Sequence, residues 1–116
     1  MYIYVMKKND LLRGTLKTII LNLLAEQGRM YGYEMVQKVR EQSAGAFELT
    51  EGALYPTLHK LEADGLLITE KVTIGKRVRK YYRLTPIGTE AKEQKVNEFE
   101  KFVQAMQLLL NSKVNA

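Results

Sequence analysis

Cysteine is absent from this chain of 116 residues, and histidine occurs once, as His59. Without thiols there is no disulfide framework, no thiolate metal ligand and no cysteine nucleophile, and the composition fits a reducing compartment, so the expected location is the cytoplasm. A single imidazole excludes a histidine cage within one chain, and a catalytic triad would have to be built around His59 alone. No plausible pair of nucleophile and base is in view, so an enzyme is not expected, and neither a cofactor nor a metal is implied. Long apolar runs are missing too: none approaches the ~18 residues that suggest a membrane span. The opening Met1 to Met6 is apolar but precedes Lys7 and Lys8, the reverse of the order in a secretion signal, so no export signal is read. Met6-Lys7-Lys8 looks like a conventional start, which makes residues 1–5 an upstream stretch within an N-terminal extension of residues 1–8.

What is present is a composition of 46% hydrophobic and 27% charged residues, fitting one small folded domain. A monomer of this size hides only about two thirds of the surface its unfolded chain exposes, so a surplus apolar face is best buried on a partner. The net charge of +5 is concentrated. Residues 1–69 hold 8 basic and 8 acidic side chains and residues 84–116 hold 4 and 4, whereas residues 70–83 set Lys71, Lys76, Arg77, Arg79, Lys80 and Arg83 against Glu70 alone. A basic strip on an otherwise balanced chain is the footprint of a polyanion binder, or else of a hairpin kept soluble by its charges.

Asn9 or Asp10 is placed to cap a first helix carrying Leu12, Leu16, Ile19, Ile20, Leu23 and Leu24 at helical spacing and ending before Gly28. A second, short and amphipathic, runs from Tyr31-Gly32-Tyr33 through Met35, Val36 and Val39 to Ser43-Ala44-Gly45. Phe47 and Leu49 suggest a few extended residues before Thr50, whose hydroxyl can cap a third helix from Glu51 to about Asp64, with Gly65 as its left-handed exit. On that helix Leu54, Leu58 and Leu61 share a face and leave Glu51, Gly52, Tyr55, Thr57 and Lys60 near or on the other; Pro56 should bend it or loosen its start. From Leu66 the period becomes two: Leu66, Ile68, Val72 and Ile74 share a parity, Gly75 marks a turn, and Val78 to Leu84 completes a hairpin. On its second strand Arg77, Arg79, Tyr81 and Arg83 point one way and Val78, Lys80, Tyr82 and Leu84 the other. Thr85-Pro86 starts a long last helix, to about Asn111, whose Val96, Phe99, Val103, Met106 and Leu110 repeat as a coiled-coil seam widened by Phe102 and Leu109. It either pairs with a second copy or lies on its own core, and its length favours pairing.

Three helices, a hairpin and a long helix, with the charge surplus on the hairpin, make a mainly α fold with a small β-hairpin: a winged helix-turn-helix at residues 9–85, a dimerisation helix at residues 86–112 and a tail at residues 113–116. In that architecture the third helix enters the major groove of double-stranded DNA and the basic wing lies on backbone or minor groove beside it. A homodimer would present two such helices about one DNA turn apart and read a palindromic operator. Candidate groove contacts are Thr50, Gly52, Ala53, Tyr55, Thr57 and Lys60, and candidate phosphate or minor-groove contacts are Arg77, Arg79 and Lys80. Tyr33, at the start of the second helix, either donates to a phosphate or packs between helices. Tyr55 similarly either reaches the DNA or covers the core, and His59 reads as a partly exposed, chemically inert helix residue.

The segments Tyr31-Gly32-Tyr33-Glu34, Gly52-Ala53-Leu54-Tyr55-Pro56-Thr57-Leu58, Leu61-Glu62-Ala63-Asp64-Gly65-Leu66 and Arg79-Lys80-Tyr81-Tyr82-Arg83-Leu84-Thr85 together resemble the PadR family of bacterial transcriptional regulators. The likeness runs from about Leu11 to Gly88, and the single C-terminal helix is similar to the short subfamily that includes multidrug-sensing repressors. This resemblance implies a homodimeric repressor that loses DNA affinity when it senses a ligand or signal. In the multidrug sensors an aromatic residue from each last helix sandwiches flat drugs in a central pore. Phe99 falls at that position in place of their tryptophan, Val103 falls where they carry an acidic residue, and Leu11, Thr18 and Val96 would line the same space, so a planar aromatic effector is the implied ligand. The other reading of Phe99 and Val103 is as seam residues of the dimer, with Val96, Phe102, Met106, Leu109 and Leu110. A different class of function also stays open: a winged-helix module that grips an acidic protein with its basic hairpin and binds no specific DNA. The small side chains exposed on the third helix favour DNA.

Overall fold

The computed structural model describes residues 8–111. Residues 1–7 of the expected extension and the expected tail at residues 113–116 lie outside the described residues. The elements in order are α1 (Lys8–Arg13), α2 (Leu16–Gln27), β1 (Arg29–Tyr31), α3 (Gly32–Gln42), α4 (Glu51–Ala63), β2 (Leu67–Ile74), β3 (Arg77–Leu84) and α5 (Pro86–Leu110). The strands form one antiparallel sheet in the order β1-β3-β2. This is a winged helix-turn-helix extended by a long C-terminal helix.

Two local results differ from the periodicity. The first helix is two, because the chain breaks at Gly14-Thr15, where the Thr15 hydroxyl and its own N–H both donate to the Leu12 carbonyl, at 3.1 and 3.0 Å. Glycine is a poor helix former, and a threonine side chain that competes for a backbone carbonyl weakens the helix further. Asn9 and Asp10 already lie within α1, so neither stands ahead of it as its cap. The second difference is β1, whose three residues are too few to show a period of two and exist as a strand only through pairing with Arg83, Tyr82 and Tyr81 of β3. Phe47 and Leu49, by contrast, lie in a loop and form no strand.

The core is built from Leu16, Ile20, Leu21, Leu23 and Leu24 of α2, Met35 and Val39 of α3 and Leu54, Leu58 and Leu61 of α4, closed by Met30, Leu49, Leu67 and Tyr82. Each of these large side chains contributes about 1.5–3 kcal/mol by leaving water. The sheet covers this core with the Leu67, Thr69, Tyr82 and Leu84 side of the hairpin, since Leu67 is opposite Leu84 and Thr69 opposite Tyr82. The apolar set Ile68, Val72 and Ile74 therefore lies on the outer face, in register with Arg83, Arg79 and Arg77. Gly75, with φ 62°, takes the first position of the two-residue turn, where a positive φ favours glycine.

α4 begins as its sequence implies: the Thr50 hydroxyl accepts from the Ala53 N–H at 3.2 Å. Pro56 stays inside the helix, where the N–H it lacks would have reached the exposed Gly52. α5 is anchored just as closely. The Thr85 hydroxyl accepts from the Gly88 N–H at 3.0 Å and donates to the Gly65 carbonyl at 2.7 Å, tying the helix start to the exit of α4. From there α5 runs along α2, and within its 25 residues only Gly88 is buried.

Candidate nucleic-acid interface

The outward surface of α4 is small and polar. Thr50, Gly52 and Lys60 are exposed, while Ala53 and Thr57 are half-buried, with the Thr57 hydroxyl donating to the Ala53 carbonyl at 2.9 Å. Thr50, Gly52, Ala53 and Thr57, with Pro56, line one side of a concavity of about 420 Å³ whose other side is Leu12, Arg13 and Leu16, so Arg13 adds a cation to the helix start. Lys60 lies 3.4 Å from Asp64 one turn on, an exposed pair that DNA phosphates can compete for.

Tyr55 has a different position from the others. Its hydroxyl end lies against Gly32 at the first turn of α3, so closely that a side chain at Gly32 would push the Tyr55 ring aside, and it sets the contact between the two helices of the helix-turn-helix. Burial, then the charges of Glu51 and Tyr82, push the Tyr55 hydroxyl pKa up. Tyr33 is 59% exposed at the same helix start, its hydroxyl accepting from Gln37 Nε2 at 2.9 Å. His59 is exposed on α4.

The wing distributes its cations over both faces. Lys80 is on the core-facing side, 3.9 Å from Glu62 of α4 and 5.4 Å from the centre of the Tyr82 ring, so it links β3 to α4. Arg77 is exposed near the tip, and Arg79 is half-buried on the outer face. There the Arg79 guanidinium lies 4.1 Å from the centre of the Tyr31 ring, Tyr31 meets Tyr81 edge-to-face at 5.4 Å, and the Arg29 guanidinium lies 4.5 Å from the Tyr81 ring. Arg29 Nη1 also donates to Glu70 Oε1 at 2.8 Å across the sheet, which offsets the like charge of Arg83 directly opposite it. The Arg79 pKa is raised, first by its hydrogen bond to the Tyr81 hydroxyl.

A second cleft, of about 410 Å³, separates α1 and α2 from α5 and brings Leu11, Thr18 and Phe99 together with Phe102, Lys95 and Glu98. Val96 lines a separate groove with Glu93, Asn97 and Glu100, so the fold does not bring it to Leu11 and Thr18 within one chain. Val103 is half-buried and lines neither of these clefts.

Residues 20–94 match the model of the transcriptional regulator PadR-like family. This chain belongs to the PadR-like family. The fold agrees: a transcriptional regulator from Clostridium thermocellum superposes with a TM-score of 0.78 at 34% identity, over 84% of this chain and 92% of that one. A PadR family transcriptional regulator from Eggerthella lenta gives 0.77 at 29% identity, over 91% of this chain and 88% of that one. In sequence, 52 residues are 48% identical to the transcriptional regulator Rv3488 of Mycobacterium tuberculosis, covering 45% of this chain and 49% of that protein.

Membership makes this PadR-like chain a transcriptional regulator, which implies DNA binding, and not an enzyme. No helix among the described residues is long and apolar enough to cross a membrane. Arg13 and the aromatic partners of Arg79 belong to this surface although neither was among the candidate contacts. Arg13 had no signal, since its charge balances within residues 1–69. Tyr81 shares the parity of Arg77 and Arg79, and that was a usable signal. Tyr31 had none, because its place beside β3 exists only in the folded sheet.

Proposed function

We propose that this PadR-like regulator is a repressor that binds a palindromic operator as a homodimer and is released by a small molecule or other signal. The observation that carries this reading is the bare apolar side of α5: Phe99, Phe102 and Leu109 are 39, 58 and 78% exposed in the single chain. Contiguous apolar surface of this kind is uncommon on a monomer, and a second α5 covers it with the seam residues Val96, Phe99, Phe102, Val103, Met106, Leu109 and Leu110. Two-fold pairing then presents two α4 helices to successive major grooves. Thr50, Gly52, Ala53, Thr57 and Lys60 face the bases, Arg77 and Arg79 the backbone beside them, and Tyr33 a phosphate at the start of α3. Lys80 serves the same interface by holding the wing on α4, and Tyr55 by holding α4 on α3. The cleft lined by Leu11, Thr18 and Phe99 is the effector site, and an aromatic compound wedged there separates α5 from α1 and α2 and alters the spacing of the two recognition helices.

Selection of bound duplexes from a random DNA pool tests the proposal, with sedimentation of the same sample. Enrichment of an inverted repeat by a dimer is the expected result. Loss of both dimer and enrichment in Phe102→Glu/Leu109→Glu would tie one to the other. A monomer in dilute solution, or a pool with no enriched repeat, would overturn it. Capture of an acidic protein by the wing in place of DNA would restore the interaction-module reading.

A further inference from the structure

Most hairpin cations are loosely held. Lys71, Lys76, Arg77 and Arg83 are exposed, and Lys80 is paired with Glu62. Arg79 differs from both groups: it is half-buried, it makes no ion pair with a carboxylate among the described residues, and an aromatic face holds its guanidinium. Arg29 has the same aromatic support, from Tyr81, but its charge is already committed to Glu70. Arg79, Tyr31, Tyr81 and Arg29 thus form a continuous run of contacts, guanidinium on ring at each end and ring edge on ring face between, fixed at one end by Glu70 and leaving at the other a guanidinium without an ion-pair partner among the described residues. The free end lies by the first turn of α3, because Tyr31 immediately precedes that helix and its N–H donates to Glu34 Oε1 at 3.0 Å.

We propose that Tyr31 is a positioning residue for DNA binding: braced by Tyr81, its ring holds Arg79 in place beside the start of α3, where the guanidinium meets a backbone phosphate already ordered. This rests on the assignment of the wing to DNA. Fixing an arginine on binding costs rotamer freedom, and a side chain held beforehand has less of it to lose. One Arg79 Nη1–H donates to the Tyr81 hydroxyl at 3.4 Å, and stacking leaves the remaining N–H groups along the guanidinium edge for phosphate oxygens. The covered faces of Tyr31 and Tyr81 are, by the same geometry, unavailable to stack on bases.

The test uses the full chain, fluorescence anisotropy, and two duplexes: one enriched by the wild-type protein from a random pool and one of scrambled sequence. Tyr31→Leu removes the ring but not the charge, so both duplexes should bind about three- to tenfold more weakly with the salt slope unchanged. Tyr31→Phe should recover the lost affinity. Arg79→Ala should lower the salt slope by about one, and adding Tyr31→Leu to it should cost nothing further. Arg79→Lys leaves the fold of β1 untouched and keeps the charge without the planar group, so it should resemble Tyr31→Leu. Wild-type affinity in Arg79→Lys, or additive losses in Tyr31→Leu/Arg79→Ala, would overturn the positioning role. If the wild-type protein binds neither duplex, the assignment of the wing to DNA fails first and takes this inference with it.

Discussion

Replacing Gly88 by alanine puts a methyl group where the turn between α4 and β2 already stands. A Cβ built at this position runs into the Leu66 carbonyl oxygen, lies 3.0 Å from its carbon and 3.3 Å from Leu84 Cδ2. The obstacle is backbone, and it is held from the α5 side: the Leu66 carbonyl accepts from the Thr85 N–H at 3.1 Å, and the adjacent Gly65 carbonyl from the Thr85 hydroxyl at 2.7 Å. An ordinary carbon-to-oxygen contact needs about 3.3 Å or more, so α5 has to lift by about 1 Å and loosen both bonds. Overpacking of this kind costs about 1–3 kcal/mol, and alanine's better helix propensity returns up to about 1 kcal/mol. The net expectation is a loss of about 1–2 kcal/mol, or roughly 5–10 °C in Tm. Because α5 is about 37 Å long, a small tilt at its base displaces its far end by a few ångströms, so self-association should weaken as well. Gly14→Ala is the control, since nothing lies within 4 Å of its Cβ and its φ is ordinary. Urea and thermal melts of both variants, with sedimentation, decide the matter. A Gly88→Ala protein as stable as wild type would refute the claim that glycine is needed where α5 approaches the turn between α4 and β2.

Gly52→Ala should separate stability from function: its Cβ meets nothing within 4 Å, so α4 should gain up to about 1 kcal/mol by melting, while gel shifts should show weaker binding if DNA approaches this helix face closely. Unchanged affinity would remove Gly52 from the interface. Gly32→Ala should cost about 1–3 kcal/mol because the new methyl strikes the Tyr55 ring, with Cζ at 2.8 Å, and Tyr55→Leu in the same protein should restore much of the loss; a simple sum of two losses in the double variant would contradict the contact. Alkali should destabilise the fold. Tyr82 and Tyr55 have pKa values raised above the ordinary 10.0, mainly by burial, so near pH 10 the unfolded chain loses these protons before the folded one. Their contribution is therefore intact below pH 10 and declines as pH rises past it. Melts from pH 8 to 11 should show this decline reduced in Tyr82→Phe; an identical decline would refute it.

Much of the interface was legible because local chemistry wrote it. Thr50 and Thr85 precede helices whose first turns need an acceptor, and both hydroxyls fill that need. The leucines of α4 identify its buried face, and its small residues are consequently the ones left outside. The charge surplus between residues 70 and 83 locates the wing without any coordinates. Two other features were not legible. The period of two in β2 identifies a strand but not which face is inward, and here the core takes Leu67 and leaves Ile68, Val72 and Ile74 among the arginines. Tyr55 and Thr57 are close in sequence, yet one is turned against α3 and the other lines the concavity with Arg13.

The sequence by itself determined the order of elements from α3 onward, the caps at Thr50 and Thr85, the turn at Gly75, the location of positive charge and an apolar stripe on the last helix, because each depends on residues within a turn or two of one another. Only the tertiary structure decided that Tyr31 pairs beside Tyr81, that Arg79 rests on Tyr31 while Lys80 reaches Glu62, and that Leu11, Thr18 and Phe99 share a cleft while Val96 of the same chain lines another groove. Those relations join residues tens of positions apart, and they are set by how the sheet and α5 dock on α2 and α4 rather than by any local preference.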